Sequence, residues 1–322
     1  MMTSVRVLAW LCAFASIVAA KAESLTDRSM RLIVPFAAGG TVDIVARIVG
    51  AKLSGLAGAK VVIDNRGGAG GVIGTEMAAQ ARGDGATLLL TSAAITYDPS
   101  LHDKLPYDTV RDLAPVAMIG TTPNLLVAAP SFPARSARDL IKLAHERPGG
   151  VTFATGGYGS SSHLAAALFS YVSGARFNHV PYKGAAPALA DVVAGHVNFM
   201  IATTPGAIQQ VRAGSLRTLG ISSLARSPEL PDVPTIAETG LPGYEYVAWF
   251  GVFALGTTPP TLVTRLNALL HQVVTDAETR DNLIVQGVTP KHLTVDEFRA
   301  TVASEIERWH AVIEKFGIRT QP

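Results

Sequence analysis

The stretch that decides the fold is Arg31-Leu-Ile-Val-Pro-Phe-Ala-Ala-Gly-Gly-Thr41. Its first part, residues 31–36, is short, apolar and rich in branched side chains, which predicts a buried strand. Ala37 to Thr41 follows as a glycine-rich turn, and residues 43–53 then show helical spacing. A buried strand that runs through such a turn into a helix is typical of α/β folds with parallel sheets.

The same unit recurs along the chain. Residues 60–64 form a predicted strand that is followed by the glycine turn Arg66 to Gly71. After a helix at 136–145, which Ser136 caps, a new series starts with a strand at 151–155 and continues to residue 221. Short apolar runs at 116–119 and 125–128 read as two further strands, and two helices, 261–277 and 295–316, end the chain.

Two series of this kind predict an α/β protein with two lobes, each a mostly parallel sheet flanked by helices. We place residues 23–124 and 245–322 in the first lobe and residues 125–244 in the second. The proline-rich stretch 228–242 is interpreted as the return connection between them.

The first 22 residues are predicted to be a signal peptide. Arg6 precedes an apolar run, residues 7–20, that is too short to span a membrane, and Ala20 and Ala22 place small residues where a signal peptidase cuts. Cleavage is expected after Ala22. An uncut anchor is an alternative, and so is lipidation at Cys12, although Leu11 stands where a lipoprotein needs a small residue.

The charge balance excludes several classes of partner. The chain carries 27 basic and 25 acidic side chains, and the predicted leader removes Arg6 and Lys21 but no acid. The remaining 300 residues are therefore neutral overall, which argues against nucleic acid and against an anionic membrane surface. Cys12, the only cysteine, leaves with the leader, and the histidines lack metal-ligand spacing, so we expect no metal and no cofactor.

Three turns connect a strand end to a helix start and are rich in glycine or hydroxyl residues: 37–41, 66–71 and 155–163. Unpaired backbone N–H groups at helix starts can hold an anion without a charged side chain. The alternative is that the glycines only serve tight turns and helix packing. Lys183, which follows a predicted strand, is a further candidate contact, whereas Arg47 lies within a helix and is expected in an ion pair.

Two enzymatic interpretations are weaker. Gly68, Gly70 and Gly74 do not have the dinucleotide spacing, and no G-K-[ST] phosphate loop occurs. Ser160 to His163 lacks the second glycine of a nucleophile elbow, so hydroxyls that donate hydrogen bonds at a helix start explain this turn better than a catalytic serine.

Several stretches together resemble the Bug receptors, the periplasmic binding proteins of tripartite tricarboxylate transporters. They span almost the whole chain after the leader, in family order: Pro35-Phe-Ala-Ala-Gly-Gly-Thr-Val-Asp43, Asp64-Asn-Arg-Gly-Gly-Ala-Gly-Gly71, Asp84-Gly85, His179-Val-Pro-Tyr-Lys-Gly184, Leu230-Pro-Asp-Val-Pro-Thr235 with Glu238 and Gly240, and Trp249-Phe-Gly251. Ala86 and Leu255 depart from the pattern, where the family often has Tyr and Pro.

The resemblance implies a type II (Venus flytrap) binding protein with a small organic anion in its cleft: a di- or tricarboxylate, an aromatic carboxylate or an acidic amino acid. It also implies export to the periplasm, transporter subunits as partners, and no enzymatic activity; we expect a monomer. The expected ligand-binding residues are Phe36, Ala38, Gly39, Gly40, Thr41, Ser92, Thr155, Gly156, Ser160, Ser161, His163 and Lys183. The alternatives are a sensor component that presents its ligand to a membrane kinase and, less favoured, an α/β hydrolase.

Overall fold

A computed structural model describes residues 29–227 and 230–316, so the predicted signal peptide lies outside the described residues. The strands are β1 Met30–Val34, β2 Val61–Asn65, β3 Thr87–Ser92, β4 Leu113–Ala128, β5 Thr152–Thr155, β6 Asn178–Pro181, β7 Phe199–Thr203, β8 Arg217–Ile221, β9 Val247–Leu255 and β10 Thr289–Pro290. The helices are α1 Thr41–Ala57, α2 Val72–Ala79, α3 Asp98–Leu101, α4 Ala137–Glu146, α5 Ser161–Ser173, α6 Ala185–Val193, α7 Thr204–Arg212, α8 Ile236–Thr239, α9 Pro260–Thr275, α10 Ala277–Val285 and α11 Val295–Phe316.

The strands form two sheets that share β4. The first sheet has the order β2-β1-β3-β9-β4, with β10 on the far side of β4. In the second sheet β4 pairs with both β7 and β8, and β7 continues through β5 to β6. The strands of the β–α units are parallel, whereas β4 and β9 run antiparallel to their neighbours. The predicted α/β class is therefore confirmed, with mixed rather than parallel sheets around β4.

Strand β4 corrects one prediction. Residues 116–119 and 125–128 belong to one strand of 16 residues and not to two. Residues 113–123 pair with β9 in the first sheet, and residues 124–128 pair with β7 and β8 in the second. Gly120 and Pro123 look like strand ends in the sequence. The strand nevertheless continues, because the pairing of β4 with β9 shifts register near Pro115 and Met118 and so accommodates irregular residues.

Apolar faces of the helices cover the first sheet. Helix α1 turns one face inward at helical spacing, with Val42, Val45, Ala46, Val49 and Leu53 all buried. Helix α11 does the same with Phe298, Val302, Trp309 and Ile313. The ring of Trp309 meets Tyr97 beside α3 at 4.6 Å between centroids. None of the described helices is long and apolar enough to cross a membrane.

The hydroxyl of Ser222 links two segments of the chain that cross between the sheets. The Ser222 Oγ accepts the N–H of Asn124 in β4 at 2.7 Å and donates to the carbonyl of Tyr246 just before β9. The backbone of Ser222 makes two further bonds, to Asn124 and to Tyr246. All three residues are buried. These bonds fix the point from which the two sheets diverge.

Replacement of Ser222 by alanine should leave an N–H and a carbonyl of the crossing segments without their partner. We expect the free energy of unfolding to fall by about 1–3 kcal/mol, the cost of buried groups that lose a hydrogen bond. Urea denaturation of Ser222→Ala measures this. Ser223→Ala is the matched control, because the neighbouring hydroxyl makes, among the described residues, only an exposed bond to Ala225. An equal loss in both variants would contradict the assignment.

Candidate functional site

Four helices begin at one cavity between the two sheets. It is lined by the first residues or N-caps of α1, α5, α6 and α7 and has a volume of about 50 Å³. The lining residues are Phe36, Ala37, Gly40, Thr41, Val42, Ser92, Gly156, Ser160, Ser161, Ser162, Ala185, Met200, Thr203 and Phe250. No side chain in this lining is charged. Helices α1, α6 and α7 have no side-chain cap, so their first N–H groups rely on other acceptors.

The N–H groups at the start of α1 differ in whether they have an acceptor within the protein. The N–H of Gly39 donates to Asp43 Oδ2 at 2.8 Å, and that of Gly40 donates to the carbonyl of Ala37 at 3.3 Å. The N–H groups of Thr41 and Val42 have no protein acceptor within the part of the chain that the structure describes. Of the expected ligand-binding residues of this turn, Gly39 and Gly40 thus use their N–H groups within the turn, whereas Thr41 keeps its N–H available and Val42 offers one that was not expected.

The buried carboxylate of Asp43 is neutralised from outside the cavity. Burial alone would raise the pKa of Asp43. Hydrogen bonds from Arg47 and from the N–H of Gly39 lower it by more than burial raises it, so the pKa of Asp43 lies below the ordinary value. The Nε of Arg47 is 2.9 Å from Asp43 Oδ2. The expected ion pair of Arg47 is thus present, and Arg47 holds the turn instead of a ligand.

The serine turn divides its hydroxyls between two roles. Ser160 caps α5 by accepting the N–H of His163, and its Oγ donates to the carbonyl of Gly157 at 2.7 Å. Ser162 accepts the N–H of Gly156 at 3.0 Å. The Ser161 Oγ is buried without a partner at hydrogen-bonding geometry among the described residues. Burial raises the pKa of the Tyr246 hydroxyl to about 12, and the nearby Ser161 hydroxyl offsets part of that rise. Ser160 and Ser162 therefore brace the turn, and Ser161 is left for a ligand.

A direct bond joins the two sheets at the cavity. The hydroxyls of Thr41 on α1 and Thr203 at the end of β7 lie 2.6 Å apart, and both side chains are buried. The lining also includes the apolar side chains of Phe36, Val42, Met200 and Phe250. The cavity thus combines N–H and hydroxyl donors with apolar side chains.

Two neutral histidines support the serine turn from behind. The rings of His163 and His179 stack at 4.8 Å, and Tyr158 meets both rings edge-on. The N–H of Gly159 donates to His163 Nδ1, and His179 Nε2 lies 2.7 Å from the hydroxyl of Thr155. Burial lowers the pKa of His163 to about 3 and that of His179 to about 4. Both rings are neutral at physiological pH and hold the turn.

Seven of the predicted residues line the cavity: Phe36, Gly40, Thr41, Ser92, Gly156, Ser160 and Ser161. Gly39 lines a neighbouring cavity, and exposed Lys183 lines another of about 520 Å³ beside the glycine loop 67–71. Ala38, Thr155 and His163 are not in these linings. Thr155 and His163 belong to the support behind the turn.

The sequence reasoning missed five lining residues: Val42, Ala185, Met200, Thr203 and Phe250. Ala37 and Ser162 also line the cavity and lie in two of the expected turns. Thr203 carries the same signal as the predicted turns, because a hydroxyl follows a strand and Pro205 stands in the first turn of α7. Met200 and Phe250 carry no such signal. They reach the cavity only through the pairing of their strands.

Comparison with known proteins gives consistent results. A sequence profile described as "Tripartite tricarboxylate transporter family receptor" matches residues 45–318. The chain is 39% identical over 300 residues to Protein BugT of Bordetella pertussis, which covers 92% of each chain. An R. palustris protein solved with adipate has a TM-score of 0.88 and 36% identity, covering 91% of this chain and 98% of that one. MatC from Rhodopseudomonas palustris, solved with bound malate, has a TM-score of 0.83 and 32% identity, covering 89% and 99%.

The neutral histidines predict a pH dependence of stability. Their pKa values in the folded protein lie below the ordinary value of about 6.5, so only the unfolded chain gains protons as the pH falls from 6.5 towards 4. Each histidine therefore contributes stability at neutral pH that is lost on acidification. In urea denaturation between pH 7 and pH 5, the pH dependence of His163→Phe should be smaller than that of the wild type by up to ~1.4 kcal/mol per pH unit. The exposed His145→Phe serves as control and should keep the wild-type dependence.

Proposed function

The chain belongs to the tripartite tricarboxylate transporter receptor family, and we propose on that basis that it captures a small carboxylate in the periplasm for a transporter of this type. The predicted resemblance to the Bug receptors is confirmed by the profile match and by the similarity to BugT. The family is a class of substrate-binding receptors and not a class of enzymes. The adipate and malate of the two R. palustris structures support a carboxylate as ligand.

The observation that carries this proposal is the convergence of helix starts on an uncharged cavity. Free N–H groups at the starts of helices, together with the helix dipoles, attract negative charge. The Ser161 Oγ, in a residue that is 8% exposed, has no partner at hydrogen-bonding geometry among the described residues and adds a further donor. A carboxylate ligand can accept hydrogen bonds from the helix-start N–H groups and from the Ser161 hydroxyl.

We place the carboxylate on the N–H groups of Thr41 and Val42 and on the hydroxyl of Ser161. Gly39 and Gly40, which are among the expected ligand-binding residues, act through the shape of the turn, since their N–H groups are bonded within it. Each hydrogen bond to a charged group contributes about 1.5–3 kcal/mol in net terms. The helix start contributes at most ~2 kcal/mol more. Together with three such hydrogen bonds, this is of the order needed for micromolar binding.

The hydrolase alternative lacks a catalytic pair. Ser160 donates to the carbonyl of Gly157, and His163 Nδ1 accepts from the N–H of Gly159. A histidine with a pKa of about 3 is also a poor general base at neutral pH. We therefore propose binding without catalysis. No observation favours the sensor alternative over transport.

The wider proposal includes closure of two lobes around the ligand. Residues 23–124 with 245–322 and residues 125–244 are proposed as the lobes, and the crossing at Asn124, Ser222 and Tyr246 as their hinge. Contacts between the lobes, such as the Thr41–Thr203 hydroxyl pair, belong to the closed form. Cleavage after Ala22, a monomeric state and docking on membrane transporter subunits complete the proposal.

A thermal-shift screen of carboxylates tests the function. A ligand that binds only the folded protein stabilises it by RT ln(1 + [L]/Kd), about 2.7 kcal/mol at a hundredfold excess over Kd. We expect a shift of the melting temperature with at least one di-, tri- or aromatic carboxylate or acidic amino acid, and none with the corresponding amides. Turnover of an ester or acyl substrate, without any carboxylate shift, would contradict the proposal.

Variants of the two turns separate binding from stability. Ser161→Ala should weaken carboxylate binding by about tenfold or more, since one hydrogen bond to a charged group is lost, and should leave stability unchanged. Ser160→Ala should instead lower the unfolding free energy by about 1 kcal/mol through loss of the α5 cap. Calorimetric titration and urea denaturation of both variants provide the two readouts. Equal affinities of Ser161→Ala and wild type would remove Ser161 from the site.

Gly40→Val should abolish binding in the same titrations while the protein stays folded. The backbone at Gly40 is extended, with φ −81, so a larger residue fits the conformation, but its side chain would crowd the carbonyl of Ala37 and project at the cavity. Gly55→Val, in the same helix with open space around it, is the control for the helix itself. If Gly40→Val binds normally while Lys183→Ala does not, a side-chain ion pair is the real anchor.

A further inference from the structure

A buried carboxyl lies where the two proposed lobes meet, outside the cavity. Asp98 is the first residue of α3 and is 2% exposed. Its Oδ2 accepts the hydroxyl of Tyr107 at 2.8 Å, and its Oδ1 has no partner within the described chain. A buried carboxylate with one unsatisfied oxygen is costly, because burial removes water from the charge and no donor replaces it.

The unsatisfied oxygen faces the other lobe. A side chain at Gly159, which precedes the serine turn, would have its Cβ 3.6 Å from Asp98 Oδ1 and 3.5 Å from Leu101 Cδ1. Asp98 belongs to the first proposed lobe and Gly159 to the second. The turn that carries Ser161 thus covers Asp98, and separation of the lobes would return the carboxyl to water.

No charged group among the described residues pairs with Asp98. The titratable groups of its own segment are Tyr107, which donates to Asp98, Tyr97, whose hydroxyl meets that of Tyr246, and His102, whose pKa burial lowers. The charged and titratable groups of the other elements that pack nearby are engaged elsewhere: Glu76 with Gln80, Glu305 with Arg308 and Trp309, His310 with Ser100, and His163 with Gly159. Desolvation therefore dominates and raises the pKa of Asp98 to about 7, against a smaller lowering by Tyr107.

We propose that Asp98 couples ligand binding to proton uptake, because closure of the lobes over the carboxylate ligand buries its carboxyl against Gly159. The coupling rests on the proposed function, since it needs a ligand that closes the lobes. In the open form Asp98 is solvated and has a pKa near the ordinary value of about 4. A proton binds as the carboxyl is buried, and Asp98 then remains neutral in the closed form around pH 6.

The sign of the effect follows from the two pKa values. The closed form has the higher pKa, so affinity is greatest at low pH and declines as the pH rises from about 4 through about 7. Between pH 6 and pH 8, where dicarboxylates stay ionised, the wild type should lose about tenfold in affinity. Close to one proton should be taken up for each ligand bound at pH 6.

Calorimetric titrations with adipate and with malate at pH 6 and pH 8, in two buffers of different ionisation enthalpy, test the coupling. Asp98→Asn keeps the shape and the hydrogen bond from Tyr107 but carries no charge. It should bind at pH 8 at least about tenfold more tightly than the wild type, change less than about twofold between the two pH values, and take up no proton. Asp103→Asn, an exposed aspartate just beyond α3, should behave like the wild type.

A second variant keeps Asp98 itself. Tyr107→Phe removes the hydrogen bond that lowers the pKa of Asp98, so the decline in affinity should move to higher pH. Wild-type proton uptake in Asp98→Asn, or weaker binding of this variant at pH 8, would overturn the coupling while leaving carboxylate binding intact. If the wild type binds neither adipate nor malate at either pH, the proposed function itself fails for these ligands and the coupling fails with it.

Discussion

An α-helix begins with N–H groups that its own backbone cannot satisfy, and the arrangement of this protein follows from where those groups are placed. Helices α1, α5, α6 and α7 each start within a few residues of the end of a strand, namely β1, β5, β6 and β7. In parallel β–α units all such starts lie at one edge of the sheet. Two sheets of this kind, turned towards each other, bring four helix starts to one cavity. Three of these helices, α1, α6 and α7, have no side-chain cap. Their first N–H groups therefore favour an anion between the sheets.

The mutual placement of the two sheets depends on β4. One continuous strand pairs with β9 over residues 113–123 and with β7 and β8 over residues 124–128, so neither sheet is complete without it. The Ser222 hydroxyl joins β4 to the segment that returns to β9. A few buried hydrogen bonds at this crossing therefore determine which helix starts face each other, and residues far from the cavity set its geometry.

The sequence was most informative where chemistry is local. The strand–turn–helix units, the Ser136 cap and the serine turn were predicted from spacing and residue type, and seven of the expected residues line the cavity. Contacts between distant segments could not be predicted in this way. Gly120 and Pro123 made β4 look like two strands. Met200 and Phe250 reach the cavity only by strand pairing. The hydrogen bond from the Gly39 N–H to Asp43 depends on the rotamer of Asp43. Asp98 looks like an ordinary turn residue until its burial is known.

The proposed anion site needs no charged side chain in its lining, because its donors are backbone N–H groups and a hydroxyl. A lysine or arginine in the cavity would need its own counter-ion, because an unpaired buried charge is strongly unfavourable. Backbone N–H groups and a serine hydroxyl carry only partial charges, so their burial costs much less. The buried carboxylate of Asp43, at the start of α1, is accordingly paired with Arg47 outside the lining. Asp98 has no charged partner among the described residues, and in the coupling proposed above it avoids the cost of burial by taking up a proton.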